Sequence, residues 1–135
     1  MNDGSGPAAR PRRRVLQQVL GRVLRALPAV AWAAGMWAMS SLSDPPGASL
    51  LEIPYLDKVA HAGLFFVLAV LLRFAGAGWA ATVAIAVAWG GVDELHQAGV
   101  AGRDSSGLDL AADLAGAVLG VIVVTWFAHR RRAAR

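Results

Sequence analysis

The sequence has no cysteine and comparatively few charged residues. None of its 135 residues is cysteine, and only 16% are Asp, Glu, Lys or Arg. Without cysteine the chain can form no disulfide bond, offers no thiol nucleophile and supplies no sulfur ligand to a metal. Neither a soluble domain nor an internal repeat is evident in the sequence. Thiol chemistry is therefore excluded, and the few charged residues become informative through their positions.

Apolar residues make up 56% of the chain, and most of them lie in four runs: 23–42, 57–72, 79–95 and 108–128. A helix needs about 20 residues to cross about 30 Å of hydrocarbon, and the runs are close to that length. The turn at residues 75–78 is short, so the second and third runs are expected to be antiparallel neighbours. The sequence therefore predicts an all-α integral membrane four-helix bundle with short loops.

The two signs of charge lie at opposite ends of these runs. Arginines flank one set of ends, and the positive-inside rule places those ends, together with both termini, in the cytoplasm. Because the arginines lie beside apolar runs rather than on a soluble face, the net charge of +4 does not predict a nucleic-acid partner. The opposite ends carry Lys58 and Arg103 and most of the acids: Asp44, Glu52, Asp57, Asp93, Glu94, Asp104, Asp109 and Asp113.

Three regions follow from this pattern. Residues 1–20 are rich in Gly, Pro and Arg and have too little apolar surface to fold alone, so they predict a flexible basic cytoplasmic tail. Residues 21–129 form the predicted four-helix transmembrane domain, with the lipid bilayer as its environment. Residues 130–135 form a second basic cytoplasmic tail. The pattern leaves a homo-oligomer open.

Polar residues recur at helical spacing in the outermost turns of three predicted helices. Intervals of four, three and four residues place one set on a single helix face: Asp109, Asp113, Gly116 and Gly120. The two glycines form a surface for close helix contact, so the acids above them are expected to face the bundle. Ionised groups at membrane depth are costly and need partners. The predicted partners are basic residues of the neighbouring helices and loops.

Two further pairs share a helix face by the same reasoning, namely Asp57 with His61 and Glu94 with Gln97. Asp57 is also expected to cap the second helix. Asp93 is adjacent to Glu94 and diverges from it by about 100° on a helix, so it is expected to pair with Arg103 or to meet water. The predicted site contains eight residues: Asp57, Lys58, His61, Glu94, Gln97, Arg103, Asp109 and Asp113.

Three ordered motifs carry a family resemblance: Asp57-Lys58-x-x-His61, then Asp93-Glu94-x-x-Gln97, then Arg103 followed by Asp109 and Gly116. In this pattern the chain resembles the VanZ-like family of bacterial membrane proteins over roughly residues 57–120. The resemblance implies a bacterial plasma membrane protein of the cell envelope and a link to glycopeptide resistance, since the founding member is associated with teicoplanin resistance. It implies no reaction. Asp113 stands where the family pattern has an asparagine, a departure that adds a carboxylate at that position.

Several chemistries fit the predicted site. The favoured hypothesis is recognition of an anionic envelope ligand, a lipid-linked phosphate or a peptidoglycan precursor, by Asp57, Lys58, Gln97, Arg103 and Asp113. The alternative is an enzyme on that ligand, with His61, Glu94 and Asp109 as the acid and base groups. A small transporter is a second alternative, although no broken helix or inverted repeat indicates one.

A metal-dependent enzyme would use oxygen and imidazole ligands, which Glu94, Asp109, Asp113 and His61 could supply. Their spacing matches no established metal-binding motif. The sequence therefore predicts neither a metal site nor another cofactor.

Overall fold

The computed structural model describes residues 9–47, 53–103 and 106–135. Every regular element in these residues is a helix, which confirms the predicted all-α class. The helices are α1 (Ala9–Ser40), α2 (Leu56–Phe74), α3 (Trp79–Gln97) and α4 (Gly107–Ala133). Two of them are long and apolar enough to cross a membrane, namely α1 from Arg13 onward and α4.

The first and last helices, α1 and α4, extend further into the arginine-rich segments than predicted. α1 begins at Ala9, upstream of the predicted boundary at residue 21, and α4 continues through Arg130, Arg131 and Arg132 to Ala133. Arg, Leu, Gln and Ala are strong helix formers, so a helix propagates into these segments even where it buries nothing. The described parts of the two predicted basic tails are thus mainly helical.

The closest helix contact lies between α2 and α4, along the glycine face predicted from the sequence. A Cβ on Gly116 would overlap the backbone carbonyl of Ala62, and one on Gly120 would lie 2.8 Å from the carbonyl oxygen of Phe66. Only glycine permits backbones to approach so closely. This contact brings the N-terminal ends of α2 and α4 side by side. α3 packs mainly against α4.

α1 lies at the periphery of the other three helices. The first half of the helix is exposed, with Val15 and Leu16 58% and 68% exposed. The second half buries Ala29 and Met36 in the small apolar core, and the Trp32 indole Nε1 donates to the Leu64 carbonyl of α2 at 3.0 Å. α1 therefore packs against the bundle with its C-terminal half.

Short connections fix the remaining geometry. α2 ends in a turn with Gly76 at a φ of 97°, and Gly78 precedes α3, so α2 and α3 are neighbours as predicted. α4 begins after Ser106, whose side chain accepts a hydrogen bond from the Leu108 N–H at 3.2 Å. The start of α2, the end of α3, the start of α4 and the end of α1 all lie at one end of the bundle.

Candidate functional site

We call this end of the molecule the polar end, defined by the following residues: Ser40, Asp57, Lys58, His61, Asp93, Glu94, Gln97, Arg103, Asp109 and Asp113. Alternation of chain direction brings them together, because α2 and α4 start here whereas α1 and α3 end here. Seven of the eight residues predicted for the site, all except Gln97, bond to one another or to the backbone around this end. Gln97 bonds to Asp93, which the prediction had placed elsewhere.

Lys58 is the central cation of the polar end. Its Nζ donates to Asp57 Oδ2 at 2.7 Å and to Asp109 Oδ1 at 2.5 Å, joining α2 to α4. The side chain of Asp109 is only 7% exposed, so its charge needs a partner within the protein. The ammonium of Lys58 is therefore engaged in holding two carboxylates.

Asp57 does not cap α2 as predicted. The helix starts one residue earlier, at Leu56, and the preceding Tyr55 has a left-handed φ of 65° with no side-chain cap. The carboxylate of Asp57 lies inside the first turn, where its Oδ1 accepts the Lys58 N–H at 2.8 Å. A carboxylate in this position still accepts one free N–H and interacts favourably with the positive end of the helix dipole.

His61 and Asp113 form the most buried polar pair between α2 and α4. His61 Nδ1 lies 2.9 Å from Asp113 Oδ1, and the Asp113 side chain is 1% exposed. Gly90 of α3 makes room for this carboxylate, because a Cβ there would lie 2.6 Å from Asp113 Oδ2. Asp113 thus orients the imidazole of His61 from behind, while His61 also borders the cavity described below.

Asp93 departs from its prediction. Instead of pairing with Arg103, it is 5% exposed and accepts the Ser40 hydroxyl at 2.6 Å and the Gln97 side-chain amide at 2.7 Å. Asp93 and Gln97 are four residues apart, so they share the buried face of α3. Gln97, which was predicted to share a face with Glu94, thus bonds to Asp93.

Glu94 lies beside that buried face and holds the start of α4. Its Oε2 accepts the Ser106 N–H at 2.7 Å. Its Oε1 is buried and has no hydrogen-bond partner within the described residues. Glu94 also lies near His61 and Asp109, and one ligand atom from each of the three residues falls within 4.8 Å of the others.

Arg103 bonds to the end of α1 rather than to an acid within the described residues. Its Nε donates to the Leu42 carbonyl at 3.2 Å and its Nη2 to the Met39 carbonyl at 3.1 Å. Helix C-termini leave carbonyls without intrahelical partners and attract cations. The arginine therefore caps α1. Glu52 and Asp104 lie outside the described residues.

α1 contributes to the polar end more than the sequence indicated. Ser40 reaches Asp93, and the Ser41 hydroxyl lies 2.9 Å from His96 Nε2. The His96 ring stacks on Trp37 with centroids 4.0 Å apart. The serine pair closing the first apolar run was the available signal, because hydroxyls at the end of a membrane helix are natural donors to buried acids.

A cavity of about 640 Å³ opens between α1 and the polar end. Apolar and small side chains of α1 and α2 form its walls, including Trp32, Met36 and Phe65. Asp57, His61 and other polar groups line the rest of its surface. Among the described residues, the polar side chains that line the cavity are Ser40, Asp57, His61, Asp93, Gln97, Arg103 and Asp109.

Two helices long and apolar enough to cross a membrane, together with ion pairs that among the described residues all lie at the polar end, indicate a small α-helical membrane protein. The model of the VanZ/LLP1 family matches residues 9–128, most of the chain. The chain therefore belongs to the VanZ/LLP1 family. No curated protein and no solved structure matches it.

Proposed function

We propose that this protein is a multi-pass protein of the bacterial plasma membrane that binds an amphipathic, anionic envelope ligand in the cavity beside its polar end. A lipid-linked phosphate or a peptidoglycan precursor fits this description. Both termini lie in the cytoplasm and the polar end faces outward, as the arginine distribution favours. The cavity is the observation that carries the proposal.

The cavity has an apolar part and a polar part, as a lipid has an apolar tail and a polar headgroup. Trp32, Met36 and Phe65 offer apolar contacts, whereas His61 and Arg103 offer polar ones. Ligand sites in proteins combine mainly apolar walls with a few polar groups that fix orientation. A chain-bearing ligand would place its tail along α1 and α2 and its headgroup among the polar residues.

Arg103 is the group of this cavity best suited to an anionic head. A guanidinium has five N–H donors, more than the Leu42 and Met39 carbonyls use. Lys58 is less suited, because two carboxylates already hold its ammonium. Ligand contact through Arg103 would bridge the end of α1 to the headgroup.

Filling the cavity tests the proposal directly. Gly35 borders the cavity, and nothing lies within 4 Å of a Cβ built there, so Gly35→Leu introduces a side chain into open space. We expect Gly35→Leu to weaken binding of undecaprenyl phosphate to the nanodisc-reconstituted protein at least tenfold. Gly21→Leu is the matched control, since Gly21 is equally open on the same helix but does not border the cavity. Equal binding by both variants would refute the proposal.

We further propose, from the resemblance to the VanZ-like family, that the protein affects glycopeptide susceptibility. Expression of this protein in a susceptible Gram-positive host is expected to raise the inhibitory concentration of teicoplanin, and Gly35→Leu is expected to remove the effect. Gly21→Leu should retain it. Protein levels in the membrane are compared by tag immunoblotting, so that lost expression is not mistaken for lost function.

The alternative of an enzyme is favoured by one observation, the histidine held at the cavity by a buried carboxylate. Asp113 behind His61 resembles the arrangement that orients a general base. A His61→Ala variant that still binds undecaprenyl phosphate but no longer converts a lipid-linked substrate would favour the enzyme alternative. Parallel loss of binding would favour recognition alone.

Orientation is tested by cysteine labelling, because the natural chain contains no cysteine. Single variants Gly47→Cys, beside the polar end, and Ala134→Cys, after α4, are treated with a membrane-impermeant maleimide on intact cells. We expect labelling at position 47 alone. Labelling at position 134 alone would invert the proposed topology.

A further inference from the structure

His61, Glu94 and Asp109 bring three metal-ligating side chains together from three helices. One ligand atom of each lies within 4.8 Å of the other two. Two ligand atoms about 2.1 Å from one ion lie about 3.4 Å apart at a tetrahedral angle, so a pair at the 4.8 Å limit would need to close by about 1.4 Å. Side-chain adjustment of that size needs no movement of the helices.

The imidazole of His61 is already oriented as a metal ligand would be. Its Nδ1 faces Asp113, which leaves Nε2 as the coordinating atom. Metal-bound histidines generally direct the other ring nitrogen to a carboxylate or carbonyl, which fixes the tautomer and raises the basicity of the ligand. Asp113 is buried beside Gly90 and has little freedom to move. The aspartate that replaces the asparagine of the family pattern supplies this carboxylate.

Glu94 provides an independent indication. Its Oε1 is buried without a hydrogen-bond partner among the described residues, while Oε2 is held by the Ser106 N–H. Buried carboxylate oxygens without partners are rare and require an explanation. A cation beside Oε1 would satisfy it and leave the contact to Ser106 intact.

The charge balance of the polar end also favours a bound cation. Five carboxylates belong to it, whereas its basic groups are Lys58, Arg103 and His61. Lys58 serves two of the acids, and the contacts of Arg103 are to carbonyls. A divalent cation would balance the excess of negative charge, and the cavity, which is lined by both His61 and Asp109, gives it a path of entry.

We propose that His61, Glu94 and Asp109 bind a divalent transition-metal ion, Zn²⁺ or Mn²⁺, with Asp113 positioning His61. One imidazole with two carboxylates suits these ions better than Mg²⁺ or Ca²⁺, which prefer oxygen ligands throughout. In the cavity the ion would supply a cationic contact for a phosphate headgroup. That role rests on the proposed function, whereas binding of the ion does not.

Metal binding is measured on the full-length protein in detergent, without any lipid ligand. Isothermal titration with ZnCl₂ and MnCl₂ is expected to show one saturable site per chain, with Mg²⁺ and Ca²⁺ at least tenfold weaker. Glu94→Gln and His61→Gln are each expected to weaken binding at least tenfold. Asp44→Asn and His129→Gln, which alter exposed residues outside the cluster, are the matched controls. Unchanged affinity in both cluster variants, or no saturable binding by the natural protein, would overturn the proposal.

A spectroscopic measurement separates coordination from a structural effect. Electron spin echo modulation of bound Mn²⁺ is expected to show a directly coordinated nitrogen that disappears in His61→Gln. Asp113→Asn should keep the nitrogen signal and lower metal affinity about 10- to 100-fold, as loss of a carboxylate behind a ligating histidine does. Circular dichroism and gel filtration show whether each variant folds. A nitrogen signal that persists in His61→Gln would exclude His61 as the ligand.

Two outcomes separate this proposal from the proposed function. If Zn²⁺ or Mn²⁺ binds but undecaprenyl phosphate does not, the metal site stands and the proposed ligand fails. If undecaprenyl phosphate binds equally with the metal ion and with EDTA, the ligand stands and the role of the ion in binding it fails. A tenfold or larger gain in lipid affinity on metal loading would support both.

Discussion

The two ends of the bundle use their charges differently. At the polar end, ionic side chains bond across helices, and Asp109 and Asp113 are almost fully buried. At the opposite end, Arg131, Arg132 and their neighbours after α4 are exposed to the surroundings. One arginine there, Arg130, lies 4.2 Å from the Trp126 ring centroid. Ion pairs join helices at the polar end, whereas the arginines at the C-terminal end of α4 are exposed.

This difference shows what a charge pattern can indicate. Segregation of sign along the sequence distinguishes the two ends, and the rule relating arginine to the cytoplasm then predicts which end faces the cytoplasm. Burial distinguishes the end that holds a site, since a buried acid needs a specific partner and an exposed arginine does not. Substitutions of comparable size at the two ends should therefore have very different effects.

The largest effect is expected at the glycine contact that supports the polar end. A leucine at Gly116 would drive its side chain into the backbone of Ala62, which has no rotamer to yield. Overpacking costs about 1–3 kcal/mol where side chains can shift, and more where backbones meet. We expect Gly116→Leu to separate α2 from α4 and to abolish recovery of folded, monodisperse protein.

Gly63→Leu is the matched control for this prediction. Gly63 lies on α2, one residue after Ala62, but nothing is within 4 Å of a Cβ built there. Gel filtration and circular dichroism in detergent should show a folded protein. Equal recovery of both variants would mean that the α2–α4 contact does not support the polar end.

Removing the central cation should have the next largest effect. Lys58→Met leaves Asp109 buried without its ammonium partner and also frees Asp57. Breaking a buried ion pair from one side costs about 3–5 kcal/mol, and the partial exposure of Lys58 places the expected loss at the lower limit. Unfolding by sodium dodecyl sulphate in mixed micelles measures it. Adding Asp109→Asn should restore part of the loss, and a double variant no more stable than Lys58→Met would contradict the proposed pairing.

A smaller effect is expected at the end of α1. Arg103→Ala removes two hydrogen bonds from a charged donor to the Met39 and Leu42 carbonyls. A hydrogen bond to a charged group contributes about 1.5–3 kcal/mol where it is buried, and less where it is exposed, as both bonds are here. We expect a loss of about 1 kcal/mol and faster hydrogen exchange in the last turn of α1. Exchange in α4 should not change. Uniformly faster exchange would mean that Arg103 supports the whole bundle.

Much of the fold and part of the site follow from the sequence. Helical spacing placed Asp109, Asp113, Gly116 and Gly120 on one face, and the structure confirms that this face is buried against α2. Spacing predicts this face correctly because close packing at the glycines and burial of the carboxylates both require the same side of α4 to face α2. The convergence of His61 and Asp113 follows from the same geometry.

The partners of individual groups could not be predicted so well. Asp93 and Glu94 are adjacent, and rotation by about 100° does not say which of them faces α1. Assigning Asp93 required the position of Ser40, a contact between residues 53 apart in sequence. Arg103 likewise bonds to carbonyls, which every residue carries, so no sequence pattern marks them.

The smallest effect is expected at the arginine-rich end, which offers a matched test for Arg103→Ala. Arg132 is exposed in the last turn of α4, and exposed charges away from specific contacts contribute within about 0.5 kcal/mol. We therefore expect Arg132→Ala to leave detergent unfolding unchanged within that margin. Its effect should appear in the membrane, where each arginine near an anionic surface contributes about 1 kcal/mol of attraction. A destabilisation as large as that of Arg103→Ala in detergent would show that both ends use charge structurally, because no lipid surface is present there to account for it.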